Sequence, residues 1–287
     1  MSTSGVASLA GVPVGGEHPV VVMGVLNVSP ESFYTGSVRG GRDELVRAAR
    51  DMVGAGAALL DVGARSTAPY LASALGEAEE CERLAPAIEA VAGAVPVPVS
   101  ADTTRAGVAR VALAAGARVI NDVSGLRDPG MGALARERGA SVILMASPPG
   151  PGASTDPVAT VRVLLEQALG RARAAGVAGE GIVLDPGIGF FREEAVPWDE
   201  WDLSVLAGLS ALRTLGRPLG VGVSRKSFLG AVTGRADPAG RLAGSLAATV
   251  VAVQQGAALI RTHDVAETVD AVRVAERLGR ARVPRTS

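Results

Sequence analysis

The sequence predicts a single-domain α/β protein, a closed (β/α)8 barrel of the TIM type. The chain alternates eight short apolar runs with longer segments of helical spacing that are rich in Ala, Leu, Glu and Arg. Alternation of this kind implies parallel strands joined by right-handed helical crossovers. Eight such units in 287 residues match the size of one barrel. A doubly wound open sheet is the alternative.

The predicted strands are short runs rich in apolar residues, and four of the predicted helices have clear bounds. Gly56, Gly116, Gly139 and Gly256 each stand shortly before a strand, where a helix often ends in glycine. In chain order, the strands are predicted over 20–26, 58–62, 97–100, 118–120, 141–145, 181–184, 219–223 and 257–260. The helices are predicted over 43–55, 77–92, 105–115 and 241–255.

The net charge, the single cysteine and the lengths of the apolar runs indicate which binding partners and which cellular compartment to expect. A net charge of −1 indicates neither a nucleic acid nor an anionic membrane as a partner. Cys81 is the only cysteine, which fits a reducing cytoplasm, and no apolar run has the length of a membrane span. Residues 1–19 are expected to be a ragged N-terminal segment and not a signal peptide. Residues 20–280 are then the barrel, and 281–287 a tail.

Most of the predicted strands end in a polar or ionisable residue. One Asp after one strand is usually a helix N-cap, but the C-terminal ends of eight barrel strands converge on one mouth. We therefore expect these side chains to form a single site. In chain order, the residues at the strand ends are Asn27, Asp61, Asp102, Asn121 with Asp122, Met145, Asp185, Ser224 to Lys226, and Arg261 to His263. Of these, Asp122 is expected to cap the following turn, and Arg225 to face away from the mouth.

The acceptor side of this mouth suits a flat ligand with several N–H donors. Asp102 and Asp185 accept hydrogen bonds when ionised, and Asn121 both accepts and donates. The opposite side carries Lys226, which is the only lysine of the chain. Together with two neighbours it suits a phosphate, a diphosphate or a carboxylate. A nitrogen-rich ring that carries a diphosphate ester would satisfy both sides.

The two cationic neighbours of Lys226 are Arg261 and His263, which follow the last predicted strand. Asn27, after the first strand, could help to hold Mg²⁺ through its oxygen, because Mg²⁺ often works with substrate phosphates and few protein ligands. The mouth contains no obvious Ser/His or Cys/His pair for nucleophilic catalysis. The sequence therefore favours electrostatic catalysis.

From about residue 20 to residue 280, the chain resembles the dihydropteroate synthases, a family of pterin-binding TIM barrels. Six motifs in a fixed order carry this resemblance. Any one of them is a weak signal, and the ordered set is specific. They are MGVLNVSP at 23–30, DTT at 102–104, INDVSG at 120–125, LDPGIG at 184–189, VSRKSF at 223–228 and RTHDV at 261–265.

The resemblance implies a transferase of folate biosynthesis that condenses 6-hydroxymethyl-7,8-dihydropterin diphosphate with 4-aminobenzoate, with Mg²⁺, as a cytoplasmic homodimer. Lys226, Arg261, His263 and Asp102 would be catalytic. The pterin would contact Asp102, Asn121, Met145, Asp185, Lys226 and Arg261. The aminobenzoate would contact Thr67, Pro69, Phe190 and Ser224. The diphosphate would contact Asn27, Arg261 and His263, with the metal on Asn27.

Several positions depart from the common bacterial pattern and resemble an archaeal-type branch. Thr35 replaces an Asp, Arg65 and Ala68 replace a Glu and an Arg, and Phe191 replaces a Gly. Phe191 beside Phe190 would crowd the arylamine slot and disfavour sulfonamides. These changes lie on the acceptor and metal side, so the identity of the acceptor is the open question.

Three alternatives follow from the altered loops. The acceptor could be a ribofuranosylaminobenzene phosphate of the methanopterin pathway, for which Arg65 would supply a cation. The chain could instead be a pterin-binding paralogue without catalysis. The pterin domain of corrinoid methyltransferases shares the barrel, but the cluster of Ser224 to Ser227 and the absence of a partner module argue against it.

Overall fold

The computed structural model describes residues 5–28, 41–65 and 75–280. Eight parallel strands close into a barrel in the order β10, β3, β4, β5, β6, β7, β8, β9, and an antiparallel hairpin of β1 and β2 precedes them. The predicted single-domain (β/α)8 barrel is therefore confirmed. The strands are β1 (Val6–Leu9), β2 (Val12–Gly15), β3 (Val21–Asn27), β4 (Leu59–Gly63), β5 (Val99–Asp102), β6 (Val119–Asp122), β7 (Ser141–Met145), β8 (Ile182–Asp185), β9 (Leu219–Gly222) and β10 (Ala257–Thr262).

Helices follow the barrel strands and cover the outside of the sheet. Apolar residues of the strands and of the helices form one continuous buried cluster between the two layers. No helix within the described ranges is long and apolar enough to span a membrane. The helices are α1 (Arg42–Gly54), α2 (Glu77–Ala92), α3 (Ala106–Ala114), α4 (Pro129–Arg138), α5 (Pro157–Ala174), α6 (Trp198–Ala207), α7 (Ser227–Thr233), α8 (Leu242–Gln254) and α9 (Val265–Arg280).

The strand ends extend slightly beyond the predicted bounds. Strand β7 matches its prediction, whereas β5, β6 and β8 continue to Asp102, Asp122 and Asp185. The backbone pairs with its neighbours whatever the side chain is, so polarity at a strand end does not stop the ladder. The polar residues are thus held by the sheet itself, which makes the mouth rigid.

The N-terminal segment is more ordered than the predicted ragged start. Strands β1 and β2 pair antiparallel around a turn at Ala10 and Gly11, which both have positive φ as tight hairpins require. Leu9 and Val14 are fully buried in a cluster with barrel residues such as Val21 and Val119, near the N-terminal ends of their strands. The Ser141 hydroxyl, at the start of β7, donates to the Ser8 carbonyl at 3.0 Å. The hairpin therefore covers the end of the barrel opposite the mouth.

A buried ion pair joins the ends of β9 and β10. Arg225 is 5% exposed and has a positive φ of 55°. Its guanidinium binds both carboxylate oxygens of Asp264, at 2.6 and 2.8 Å. It also donates to the carbonyls of Pro238 and Ala239, at 3.0 and 2.7 Å. The pair fixes the two strand ends that carry the cations of the mouth.

Arg225→Ala is expected to lower the free energy of unfolding by about 3 kcal/mol, because it leaves the Asp264 carboxylate, which is 13% exposed, without its cation. Urea denaturation measures this change. Arg273→Ala is the matched control, since Arg273 is 74% exposed and pairs with Asp270 at 3.8 Å on the surface of α9. That control is expected to change stability by less than about 0.5 kcal/mol. Equal effects of the two substitutions would contradict the proposed role of the pair.

Candidate active site

Three polar side chains from neighbouring strands form a buried wall on one side of the mouth. Asp61, Asp102 and Asn121, on β4, β5 and β6, are exposed by 0%, 5% and 4%. The Asn121 side-chain amide donates to Asp61 Oδ2 at 3.0 Å. Asp102 lies directly opposite Asn121 in the sheet register. The predicted convergence of these strand ends is therefore present in the fold.

Arg261 crosses the mouth from β10 and contacts both carboxylates of this wall. Its Nε donates to Asp61 Oδ2 at 2.7 Å, and Nη2 donates to Asp102 Oδ2 at 2.9 Å. The Oδ1 atoms of Asp61 and Asp102 are buried and have no hydrogen-bond partner within the described part of the chain. Buried polar atoms in native proteins are almost always paired. Two such acceptors indicate a ligand with N–H donors.

The electrostatics of the wall are dominated by its burial. Burial raises the pKa of Asp102 to about 7, although Arg261 opposes the shift. Burial alone would lower the pKa of Arg261, but Asp61 and Asp102 together raise it above its ordinary value. The guanidinium therefore stays charged, and it faces the Asp102 carboxyl, which burial makes costly to ionise.

Lys226 follows β9, across the barrel from this wall, and Asp185 ends the neighbouring strand β8. Asp185 therefore lies beside Lys226, and not with Asp102 on the acceptor side as the sequence predicts. The Lys226 ammonium donates to the Ile188 carbonyl and lies 5.1 Å from the centre of the Phe190 ring. Burial lowers the pKa of Lys226 to about 8, and Asp185 is the largest influence in the other direction. Burial raises the pKa of Asp185, whose carboxylate accepts from the Gly187 N–H at 2.7 Å.

His263 is not the cation that the sequence analysis predicts. Desolvation, followed by repulsion from Arg261, Arg225 and Lys226, lowers the pKa of His263 to about 3. The neutral ring contacts the Ser224 hydroxyl through Nδ1 at 2.9 Å, and the His263 backbone N–H donates to the same oxygen at 3.2 Å. The mouth therefore contains a Ser/His contact, contrary to the expectation from the sequence. The sequence could not show the neutral state, because the pKa depends on which cations the fold brings together.

The imidazole of His263 is expected to stay neutral from pH 5 to pH 8 in the protein without substrate. Its ring proton shifts, followed by NMR across this range, should not titrate, because its pKa lies near 3. The chain has two histidines, and His18→Gln assigns the remaining signal to His263. A titration of that signal with a midpoint between pH 6 and pH 7 would contradict the desolvated environment.

Of the remaining residues predicted to contact substrate or metal, two lie at strand ends of the barrel and two lie outside the described residues. Met145 is buried at the end of β7, and Asn27 is half-buried at the end of β3. Asn27 and Asp102 both border Gly63, the last residue of β4. A Cβ added to Gly63 would lie 3.8 Å from Asn27 Oδ1 and 3.7 Å from Asp102 Oδ2. Asn27 is thus beside the acidic wall. Thr67 and Pro69, together with Thr35 and Ala68, lie outside the described residues.

Phe191 does not crowd the arylamine slot, so that expectation is wrong. It is 1% exposed and stacks on Trp201, with ring centres 4.8 Å apart in the packing behind the mouth. Phe190 is half-buried and is the residue beside Lys226. The two neighbouring rings therefore have different environments, and Phe190 is the one that lies beside the site.

Arg65 is held by groups that the sequence analysis did not single out. Its Nη2 donates to the Thr104 hydroxyl at 3.0 Å, and its Nε lies 3.7 Å from Glu80 Oε2. Glu80, on α2, is fully buried and also accepts from Thr103 at 2.7 Å and from Arg105 at 2.7 Å. Glu80 stands in the first turn of α2 beside Glu77 and Glu79, and no sequence pattern distinguishes its buried carboxylate from those of its acidic neighbours.

The fold and the site define a (β/α)8 barrel whose mouth sets buried carboxylate acceptors beside Arg261 and across from Lys226. Comparison with known proteins names this class. The sequence pattern of pterin binding enzymes matches residues 23–263. The dihydropteroate synthase of Escherichia coli K12 is 40% identical over 265 residues, which cover 90% of this chain and 91% of that protein.

Two further relatives agree. A bifunctional folylpolyglutamate synthase/dihydropteroate synthase of Haloferax volcanii is 40% identical over 88% of this chain and 30% of its own length. The Xanthomonas albilineans dihydropteroate synthase, solved with 4-aminobenzoic acid, has a TM-score of 0.86 and 37% identity over 98% of this chain and all of that one. The chain belongs to the pterin-binding enzyme family, and its function is that of the dihydropteroate synthases, which are transferases. The bacterial and archaeal identities are equal, so they do not distinguish an archaeal-type branch.

Proposed function

We propose that the mouth binds 6-hydroxymethyl-7,8-dihydropterin diphosphate and joins it to 4-aminobenzoate, releasing diphosphate. The observation that supports this most is the pair of buried Oδ1 atoms on Asp61 and Asp102, which have no partner in residues 5–28, 41–65 and 75–280. A pterin ring presents several N–H groups along one edge, which an acceptor-rich wall can bind. Asn121, Asp185 and Met145 complete the proposed ring contacts.

The reaction breaks the bond between the pterin methylene carbon and a diphosphate oxygen, and it forms a bond from that carbon to the acceptor nitrogen. The bonding electrons leave with the diphosphate, and the nitrogen releases one proton to solvent or to the departing group. Positive charge therefore grows on the ring, where Asp102 and Asp185 stabilise it. An arylamine is already nucleophilic, so no strong base is needed.

Negative charge grows on the leaving group, where Lys226 and Arg261 stabilise it. His263 contributes as a neutral donor in the tautomer that carries its ring proton on Nε2. In that tautomer Nδ1 accepts from the Ser224 hydroxyl, 2.9 Å away, and the Nε2 N–H can bind a diphosphate oxygen. Lys226 also borders the proposed ring site, so its ammonium lies between the pterin ring and the departing diphosphate.

Mg²⁺ is part of the proposal, with Asn27 as its protein ligand. Within the described residues there is no group of three or more His, Cys, Asp or Glu that could hold a metal ion by itself. Asn27 nevertheless fits, because Mg²⁺ usually takes few protein oxygens and completes its shell with waters and substrate phosphates. Bound there, Mg²⁺ would neutralise part of the diphosphate charge. Weaker diphosphate binding by Asn27→Ala, measured by calorimetry with and without Mg²⁺, tests this role.

The proposed acceptor is 4-aminobenzoate, with Phe190 lining its slot and Ser224 near its carboxylate. A phosphate-bearing acceptor would need an additional available cation, and Arg65 is its candidate. Arg65 is instead bound to Thr104 and lies beside the buried Glu80. This arrangement favours the simpler acceptor.

Diphosphate release measures the function directly. The full chain is mixed with Mg²⁺ and the pterin diphosphate, and each arylamine is added in turn. We expect release that depends on 4-aminobenzoate and produces 7,8-dihydropteroate. Faster release with the ribofuranosylaminobenzene phosphate would change the acceptor, and binding without release would indicate a non-catalytic paralogue.

We also propose that the chain works in the cytoplasm as a homodimer with small molecules as its only substrates. Its relatives support the substrates, and the lone Cys81 supports the reducing compartment. Sedimentation equilibrium is expected to give twice the mass of one chain. A monomer at micromolar concentration would contradict the dimer and leave the reaction unaffected.

A further inference from the structure

A single peptide group beside the mouth is held from both of its ends. The Ile188 carbonyl accepts from the Lys226 ammonium, and the N–H of the next residue, Gly189, donates to Asp202 Oδ1 at 2.7 Å. The carbonyl and the N–H belong to the same peptide unit. A cation and a carboxylate therefore bind opposite ends of one dipole.

Gly189 allows the lysine to lie across this peptide. Its φ is +85°, and a Cβ there would stand 3.0 Å from Lys226 Cδ and 3.6 Å from Nζ. The same peptide in the reverse orientation would point its N–H toward the ammonium and remove the acceptor. The hydrogen bond from Gly189 to Asp202 stabilises the orientation in which the carbonyl faces Lys226.

Asp202 is buried without the pairing that a buried carboxylate normally has. It lies on α6 and is 1% exposed, and its Oδ2 has no hydrogen-bond partner in the described ranges. A buried charge needs nearby opposite charge to be tolerated. The cations that face it are Lys226 and Arg192, and Asp199 of the same helix opposes them.

We propose that Asp202 is a positioning residue that acts through the Ile188–Gly189 peptide to hold the Lys226 ammonium in place and in its charged form. The role rests on the proposed function, in which Lys226 faces the pterin and the leaving diphosphate. The same peptide precedes Phe190, so its orientation also sets the ring that lines the acceptor slot.

The charges around Lys226 determine what a substitution does. Asp185 from β8 and Asp202 from α6 raise its pKa, while Arg261 from β10 and Arg192 from the loop after β8 lower it, as burial does. Burial raises the pKa of Asp202 to about 6, so its charge is present at pH 7 and above. Removing that charge is expected to move the Lys226 pKa further below about 8.

Asp202→Asn tests the charge alone, because the amide oxygen can still accept from Gly189. Lysine labelled with ¹³C at Cε and ¹⁵N at Nζ gives one side-chain signal in this chain, since Lys226 is the only lysine. We expect its titration midpoint to fall by about one pH unit. The rate kcat/KM should then fall about tenfold at pH 9 and less than about twofold at pH 6.5, where the ammonium remains charged.

Asp202→Ala also removes the acceptor for the Gly189 N–H. It is expected to lower kcat/KM for the pterin diphosphate at pH 7 by about tenfold more than Asp202→Asn does. Asp199→Asn is the matched control, since it removes one negative charge from the same helix without touching the peptide. The control should leave the lysine midpoint unchanged.

An unchanged lysine midpoint in Asp202→Asn would overturn the proposal, even if stability falls. The NMR titration needs no substrate, so it is independent of the synthase reaction. A shifted midpoint in a chain that releases no diphosphate would reject the proposed function and keep the positioning role. An active enzyme whose Lys226 midpoint is unchanged by Asp202→Asn would support the proposed function and reject the positioning role.

Discussion

Asp102→Asn is expected to lower kcat/KM for the pterin diphosphate by about 10²–10³. Asp102 is 5% exposed, and its carboxylate binds Arg261 through Oδ2, while Oδ1 has no partner among the residues that the structure describes. Asparagine has one acceptor where the carboxylate has two, and its amide directs N–H groups at Arg261 or at the ring. The loss should appear in the binding of the pterin and in kcat together.

Asp156→Asn is the matched control for this substitution. Asp156 is the exposed N-cap of α5 and accepts from the Ala159 N–H at 3.0 Å. Asparagine caps a helix as well as aspartate does, so activity and stability should be unchanged. Steady-state kinetics with saturating 4-aminobenzoate compares the two variants. Less than a threefold loss in Asp102→Asn would remove Asp102 from the pterin site.

Lys226→Gln is expected to lower kcat/KM by at least about 10², because the mouth loses the cation that lies 5.1 Å from the Phe190 ring and that interacts most favourably with the Asp185 carboxylate. Wild-type activity should also decline above pH 8, as the ammonium with a pKa of about 8 loses its proton. Lys226→Arg stays charged at that pH, and its profile should therefore lack this decline even though its rate is lower.

Arg138→Gln is the control for the loss of one positive charge. Its side chain is 39% exposed and pairs with Glu137 on α4, away from the mouth. The pH profile of this variant should match that of the wild type. A decline above pH 8 that persists in Lys226→Arg would assign the titration to another group.

Much of the fold could be predicted because the barrel leaves a simple pattern in the sequence. The strands of a parallel barrel are covered on both faces and read as short apolar runs. Their polar last residues point to the mouth, which is why Asp102, Asn121 and Asp185 could be chosen before any coordinates were known. Asp122 follows the same pattern, but it accepts from Ser124 and Leu126 as a turn cap.

The features that escaped prediction depend on contacts distant in sequence. The β1–β2 hairpin is stabilised by burial against the lower end of the barrel, and its short strands carry little signal of their own. The neutral state of His263 follows from Arg261, Arg225 and Lys226 around it. Asp202 stands on a helix among other acidic residues, and only the fold brings it to the Gly189 N–H.

A crystal structure of the chain with 7,8-dihydropteroate tests the account most directly. The ring nitrogens are expected within about 2.7–3.2 Å of Asp102 Oδ1 and the Asp185 carboxylate, with the Lys226 ammonium at the same ring. A ring bound elsewhere in the barrel, with Asp102 Oδ1 and Asp185 still without a ligand donor, would contradict the acceptor wall as the pterin site.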